Sequence, residues 1–190
     1  MRRLAIFASG TGSNAAEIIK HFDNIDDIEV SLIVSNRTNA GVLTIADQAG
    51  IPSMIIDRSF FYDSNQLLFE LKTRCIDIIV LAGFLWLVPR YLIKGFPNKI
   101  VNIHPALLPK YGGKGMYGMH VHAAVKANQE KESGISIHYV NERFDEGAII
   151  FQASVPIGEN DTAEEIRTKV LELEHKYFPS VVEDVVRKAF

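Results

Sequence analysis

Leu4-Ala5-Ile6-Phe7-Ala8-Ser9-Gly10-Thr11-Gly12-Ser13-Asn14-Ala15-Ala16-Glu17-Ile18-Ile19-Lys20 is a strand, a turn and a helix in immediate succession. Leu4 to Ser9 is an almost unbroken apolar run, as expected of a strand covered on both faces. The glycine-rich turn Gly10 to Asn14 follows at once, and a helix opens near Ala15. This order predicts a parallel α/β sheet. It also makes a ready anion site. Glycines let a ligand approach the backbone, and the first N–H groups of the helix point outward with the positive end of its dipole. Ser13 and Asn14 add side-chain donors. The same residues also suit a plain tight turn with an N-cap.

The pattern repeats downstream. Ile28 to Val34 reads as a second strand, Val42 to Ala49 as a short helix, and Ser53 to Ile56 as a third strand. Asp57 to Ser64 reads as loop. Leu67, Leu68, Leu71 and Cys75 mark one helix face, with Cys75 a small core residue rather than a nucleophile. Ile76 to Ala82 is the most apolar strand and belongs in the centre, with Gly83 to Pro89 leaving its carboxyl end. Gly134 to Val140 alternates, and with Ala148 to Val155 it predicts an appended hairpin. Asp161 or Thr162 caps a final helix with Ala163, Ile166, Val170, Leu173 and Tyr177 as its buried stripe. Pro179 is expected to kink that helix or start another. The fold class is therefore a Rossmann-like open, mostly parallel sheet with helices on both faces, an antiparallel C-terminal hairpin and a long last helix. No linker or repeat interrupts residues 1–190, which are read as one domain.

The most informative polar residues lie in Ile100-Val101-Asn102-Ile103-His104-Pro105. Residues two apart in a strand point the same way, so Asn102 and His104 project together from its carboxyl end. Open α/β sheets bind ligands beyond their strand ends. An amide beside an imidazole suits the holding of a carbonyl oxygen as it becomes an oxyanion. A polar strand end closed by a turn is the plain alternative. Gly112 to Met119 forms a long glycine-rich loop next to this site. His120 and His122 follow in H-x-H spacing, but no cysteine or carboxylate lies nearby to complete a site, and no metal is expected. His138 reads as an ordinary strand histidine. Glu174 falls at the edge of the last helix's stripe, where a solvated carboxylate is the simpler expectation.

Composition narrows the function. The chain has 190 residues, 47% of them hydrophobic, and a formal net charge of -3. That charge gives no support to a nucleic-acid or membrane surface. The N-terminal apolar run is too short for a signal peptide, and the single cysteine excludes an internal disulfide. A cytoplasmic protein is expected.

These motifs, taken in order, resemble the 10-formyltetrahydrofolate-dependent formyltransferases. The resemblance rests on Gly10-Thr11-Gly12-Ser13-Asn14, Leu81-Ala82-Gly83-Phe84, Asn102-Ile103-His104-Pro105 with Leu107-Leu108-Pro109-Lys110-Tyr111, and Asp145 before Gly147. Gly12-Ser13-Asn14 and Glu174-His175 point to the branch acting on glycinamide ribonucleotide. The resemblance implies formyl transfer from 10-formyltetrahydrofolate to the amine of 5'-phosphoribosylglycinamide in purine biosynthesis, without a metal. It implies Asn102, His104 and Asp145 as the catalytic trio, with Asp145 raising the pKa of His104. Gly12, Ser13 and Asn14 would hold the ribose phosphate and Glu174 another part of that substrate. Leu85, Trp86, Leu87, Val88, Asn102, Asn141, Glu142, Arg143, Phe144 and Asp145 would hold the folate. Both substrates are small molecules, and a monomer or weak homodimer is expected, with no nucleic-acid or membrane partner.

Trp86 stands where better-known relatives carry a basic residue, and Arg58 is the candidate for the folate-tail contact. The Gly112 to Met119 loop is longer than in shorter-looped relatives. A sugar-nucleotide amine as acceptor and a formyltetrahydrofolate hydrolase remain alternatives. More remote are an NADP-binding protein, since Gly10 to Ala15 fits G-x-G-x-x-A, and a non-catalytic phosphate-binding module.

Overall fold

The computed structural model describes residues 1–190. Seven strands form one sheet in the order β3-β2-β1-β4-β5-β6-β7. The strands are β1 (Arg2–Phe7), β2 (Ile28–Ser35), β3 (Ser53–Ile55), β4 (Ile78–Leu81), β5 (Ile100–His104), β6 (Glu132–Tyr139) and β7 (Ile149–Pro156). The first five are mutually parallel; β6 runs antiparallel to β5, and β7 antiparallel to β6. β4 is the middle strand, as its apolar run predicts.

Alternation along the strands divides the core between two faces. Leu4, Ile6, Ile78, Val80, Val101 and Ile103 pack into one cluster with α1 (Ser13–Phe22), α2 (Gly41–Gln48), α6 (Met119–Ala127) and α7 (Ala163–Ala189). Ala5, Phe7, Ile79, Leu81 and Ile100 pack into the other with α3 (Arg58–Tyr62), α4 (Gln66–Thr73) and α5 (Arg90–Gly95). Both faces of the parallel strands are thus dry, which is why they read as continuous apolar runs.

Several local expectations are corrected. Residues 57–64 contain helix α3: the Asp57 carboxylate accepts the Phe60 N–H at 2.8 Å, and buried Phe61 anchors the turn. Cys75 is exposed. The α4 helix ends at Thr73, and Cys75 takes φ 56 in the reversing turn, which carries its side chain out of the core. Helix α6 begins at Met119, so His120 and His122 lie within its first turn and His122 is buried. Helix α7 continues through Pro179, so no new helix starts there, and Phe178, Pro179 and Val181 are all buried. The α7 stripe includes Ile166, Val170, Glu174 and Phe178, so Glu174 lies inside it rather than at its edge.

Candidate active site

The chain reverses its direction of travel across the sheet between β1 and β4. Ligands of open α/β folds gather at such a switch point. Ser9, just past β1, ties its two loops together: its N–H donates to the Gly83 carbonyl at 3.1 Å, and its hydroxyl accepts the Leu85 N–H at 3.0 Å. Here lies a cavity of about 590 Å³, bounded by Gly10 to Asn14, Ala82 to Leu85, Asn102 to Pro105, the loop from Gly113 to Gly118, and one face of α7.

At one end is the turn before α1. Gly12 adopts φ 84, and a Cβ there would lie 2.8 Å from the Val42 backbone, so glycine alone fits between the turn and α2. No side chain caps α1, which leaves its first N–H groups free. The Asn14 amide donates to a Glu174 carboxylate oxygen at 2.6 Å. Burial pushes the Glu174 carboxyl up, and the Asn14 hydrogen bond and the nearby Arg167 charge only partly oppose it.

At the other end β5, β6 and the turn after β6 converge. Asn102 stands opposite His138 in the β5–β6 register, and their side chains meet at 3.0 Å between Nδ2 and Nε2. The other His138 ring nitrogen, Nδ1, is 2.9 Å from the Tyr139 carbonyl and can only donate to it. His138 Nδ1 therefore donates to that carbonyl, and Nε2 is the ring nitrogen that meets the Asn102 amide. That bond fixes the amide with its oxygen and second N–H turned elsewhere.

Asp145 joins the two histidines. One carboxylate oxygen lies 3.5 Å from His104 Nδ1, and the other lies 3.6 Å from His138 Nε2. The Gly113 N–H donates to Asp145 at 2.9 Å. Asp145 has φ 56, a conformation that aspartate tolerates better than most residues. Burial pushes its carboxyl up, but the His138 and His104 contacts and the Gly113 N–H outweigh that, and it ends below the usual carboxylate range.

His104 Nε2 donates to the Tyr111 carbonyl at 2.7 Å. Its bare Nδ1 then faces the carboxylate, an arrangement that welcomes a second proton. Burial nevertheless dominates and lowers the His104 pKa, against the raising effect of Asp145. Asp145 thus raises the value as expected, but the larger effect of burial leaves the net shift downward, and in the free protein the ring is neutral at pH 7. The loop carrying Tyr111 is held by Ser136. The Ser136 hydroxyl donates to the Ala106 carbonyl at 2.7 Å and accepts the Leu108 N–H at 2.9 Å.

The cavity thus gathers Asn102, His104 and Asp145 with Gly12, Ser13, Asn14 and Glu174. Of the candidate folate residues, Leu85, Phe144, Asn102 and Asp145 line it, and the others do not. Trp86 lies in a shallower groove with Asn36, Thr38 and Arg58, whose guanidinium is 5.2 Å from the Trp86 ring centroid. Val88 packs into the second core cluster, and the Leu87 carbonyl accepts from the Tyr62 hydroxyl. Asn141 closes its own turn onto the Arg143 N–H, Arg143 pairs with Glu146, and Glu142 pairs with Arg90 at 2.8 Å. No cluster of three or more histidine, cysteine, aspartate or glutamate side chains is placed to hold a metal ion.

Residues 2–182 match the family model described as formyl transferase. The chain belongs to the formyl transferase family. It is 35% identical over 193 residues to the phosphoribosylglycinamide formyltransferase of Bacillus subtilis, covering 98% of this chain and 95% of that one. It is 40% identical to the chloroplastic phosphoribosylglycinamide formyltransferases of Arabidopsis thaliana and Vigna unguiculata, but spans only 64% and 60% of their lengths. Among solved structures, the phosphoribosylglycinamide formyltransferase of Bacillus halodurans superposes with a TM-score of 0.88 at 35% identity, covering 100% of this chain and 97% of that one. The family likeness and the sheet topology agree in placing the formyl transferase fold across nearly the whole chain.

Proposed function

We propose that the protein transfers a formyl group from 10-formyltetrahydrofolate to the primary amine of 5'-phosphoribosylglycinamide, a step of purine biosynthesis. The observation that carries this reading is the two-ended cavity. A backbone anion cradle with Glu174 occupies one end, and Asn102, His104 and Asp145 occupy the other. A phosphorylated amine spans such a site with its phosphate at the α1 turn and its nitrogen at the β5 end. The relatives' names supply the substrate pair.

The residues fit a flat, partly apolar formyl donor. Phe84, Leu85 and Phe144 offer apolar walls beside the polar trio, and the groove at Trp86 and Arg58 offers a cation for an acidic tail. In the transfer, the amine nitrogen forms a bond to the formyl carbon, and the carbonyl oxygen takes up the electron pair. The Asn102 amide and the His104 imidazole face the place where that negative charge develops. The bond from the formyl carbon to the donor nitrogen then breaks, and the proton released by the attacking amine ends on that leaving nitrogen. Asp145 stabilises His104 while it carries a second proton. His138 fixes the Asn102 amide.

The test is consumption of the formyl donor by the purified protein. Loss of donor only when phosphoribosylglycinamide is present, with formation of the formylated amide, is the expected result. Equal loss without the amine indicates a hydrolase instead. No loss with this amine, but loss with an amino sugar nucleotide, moves the acceptor assignment to that class.

A further inference from the structure

Tyr111 is bonded at both ends. Its carbonyl accepts the His104 Nε2–H at 2.7 Å. Its hydroxyl donates at 2.9 Å to Glu130, in the connection between α6 and β6. The same carboxylate oxygen accepts from Lys110 Nζ at 2.8 Å. The bonds from Lys110 and Tyr111 hold Glu130 below the usual carboxylate range, and burial and Glu130 push the phenol up. At pH 7 the phenol is therefore the donor and the carboxylate the acceptor. Asn128, just past α6, also lies near the phenol.

The backbone of Tyr111 needs that hold. It takes φ 57, in the left-handed region where a bulky side chain is strained. Such residues persist where their surroundings over-determine them. Ser136 and Gln152 secure the loop as far as Leu108. Gly112 and Gly113 follow Tyr111, and the next anchor is the Gly113 N–H on Asp145. Between these anchors the Tyr111 side chain, packed against the first core cluster and bonded to Glu130, sets the direction of its carbonyl.

That direction decides how the imidazole sits. A carbonyl can only accept, so Nε2 carries the proton and Nδ1 is left bare, 3.5 Å from Asp145. His104 is 3% exposed. Without the carbonyl its buried Nε2–H is unpaired, which favours moving the proton to Nδ1, beside the carboxylate.

We propose that Glu130 and the Tyr111 phenol form a latch that positions His104: Glu130 holds the side chain, the side chain aims the carbonyl, and the carbonyl keeps Nδ1 towards Asp145. Neither residue lines the cavity, so both are positioning residues. Their effect on turnover rests on the part proposed for His104 in the transfer.

The test joins NMR of the His104 ring nitrogens with steady-state kinetics on the two proposed substrates, for the wild type, Tyr111→Phe, Glu130→Ala and Glu130→Gln. Tyr111→Phe keeps the ring and removes the bond. Glu130→Gln keeps an oxygen that accepts from the phenol and gives up only the charge pairing with Lys110, which is largely exposed. Tyr111→Phe and Glu130→Ala should each lower kcat about tenfold, with both KM values within about twofold. In both, the ring proton should move from Nε2 towards Nδ1. The His104 midpoint should also fall, because the Tyr111 carbonyl raises it alongside Asp145, against burial and His138. Glu130→Gln should match the wild type, and Tyr111→Phe combined with Glu130→Ala should lose no more than either alone. Ring signals that stay in place in Tyr111→Phe and Glu130→Ala overturn the latch and leave the reaction assignment standing. Equal losses in Glu130→Gln and Glu130→Ala also overturn it, because the charge and not the bond to the phenol then matters. A raised KM at unchanged kcat does the same. No turnover by the wild type removes the reaction assignment and this inference with it.

Discussion

His104 is pulled in two directions, and the balance decides its protonation. Burial lowers its pKa; Asp145, 3.5 Å away, raises it. Asp145→Asn removes the raising partner, so the imidazole pKa should fall further still. A titration of the His104 ring protons by NMR checks this, and an unchanged midpoint would remove Asp145 from the electrostatics of the site. Asn102 and His104 were legible in the sequence because two residues apart in a strand is a local rule. His138 was not. Its role comes from pairing opposite Asn102 across β5 and β6, 36 residues along the chain, and that register is not written in either strand. Glu174 was seen as a candidate, but the amphipathic pattern placed it at the stripe's edge. Its burial follows from Asn14 meeting it across 160 residues.

Among the elements, α7 does the most to enclose the cavity, and its start is set by local chemistry. The Thr162 hydroxyl accepts the Glu165 N–H, and the Glu165 carboxylate accepts the Thr162 N–H at 2.7 Å, a complete capping box. Thr162→Ala should cost about 1 kcal/mol. In a chain of this size that lowers the thermal midpoint by about 2–4 °C. An unchanged melting curve would show that the first turn of α7 contributes nothing to global stability. The cap was readable from Asp161-Thr162-Ala163-Glu164-Glu165. The continuation through Pro179 was not, because a proline's local preference argues for a break and only tertiary packing overrides it. The short α3 helix was hidden in the same way. Five residues carry too little periodicity to register, and buried Phe61 declares itself only once α4 and α5 surround it.

For the molecule as a whole, the strand–turn–helix opening and the apolar runs were enough to place the sheet and its central strand. The pairing of β6 against β5, which closes the reacting end of the cavity, needed the three-dimensional arrangement. Stability should also report the buried histidines. The His122 pKa is about 4 in the folded chain, below its ordinary 6.5. The unfolded chain therefore takes up the proton first. Stability is full above about pH 6.5 and is lost as pH falls from there towards 4. The loss from His122 is at most about 3 kcal/mol, and smaller to the extent that water in the cavity screens the ring. His104, whose pKa is also lowered, acts with the same sign. Denaturant unfolding between pH 7 and pH 4.5 should show this decline, and His122→Gln should flatten it. A wild-type profile that stays level, or rises, across that range would contradict the buried neutral assignment.

The central claim is that Asn102 and His104 stabilise the charge that develops during formyl transfer. Single-turnover transfer by Asn102→Ala and His104→Ala, with both substrates saturating, tests it most directly. Each variant should be slower than the wild type by about 10²-fold or more, with donor and amine affinities changed only modestly. Variants that transfer at the wild-type rate once saturated, having lost only affinity, would show that this pair binds the substrates and takes no part in the reaction.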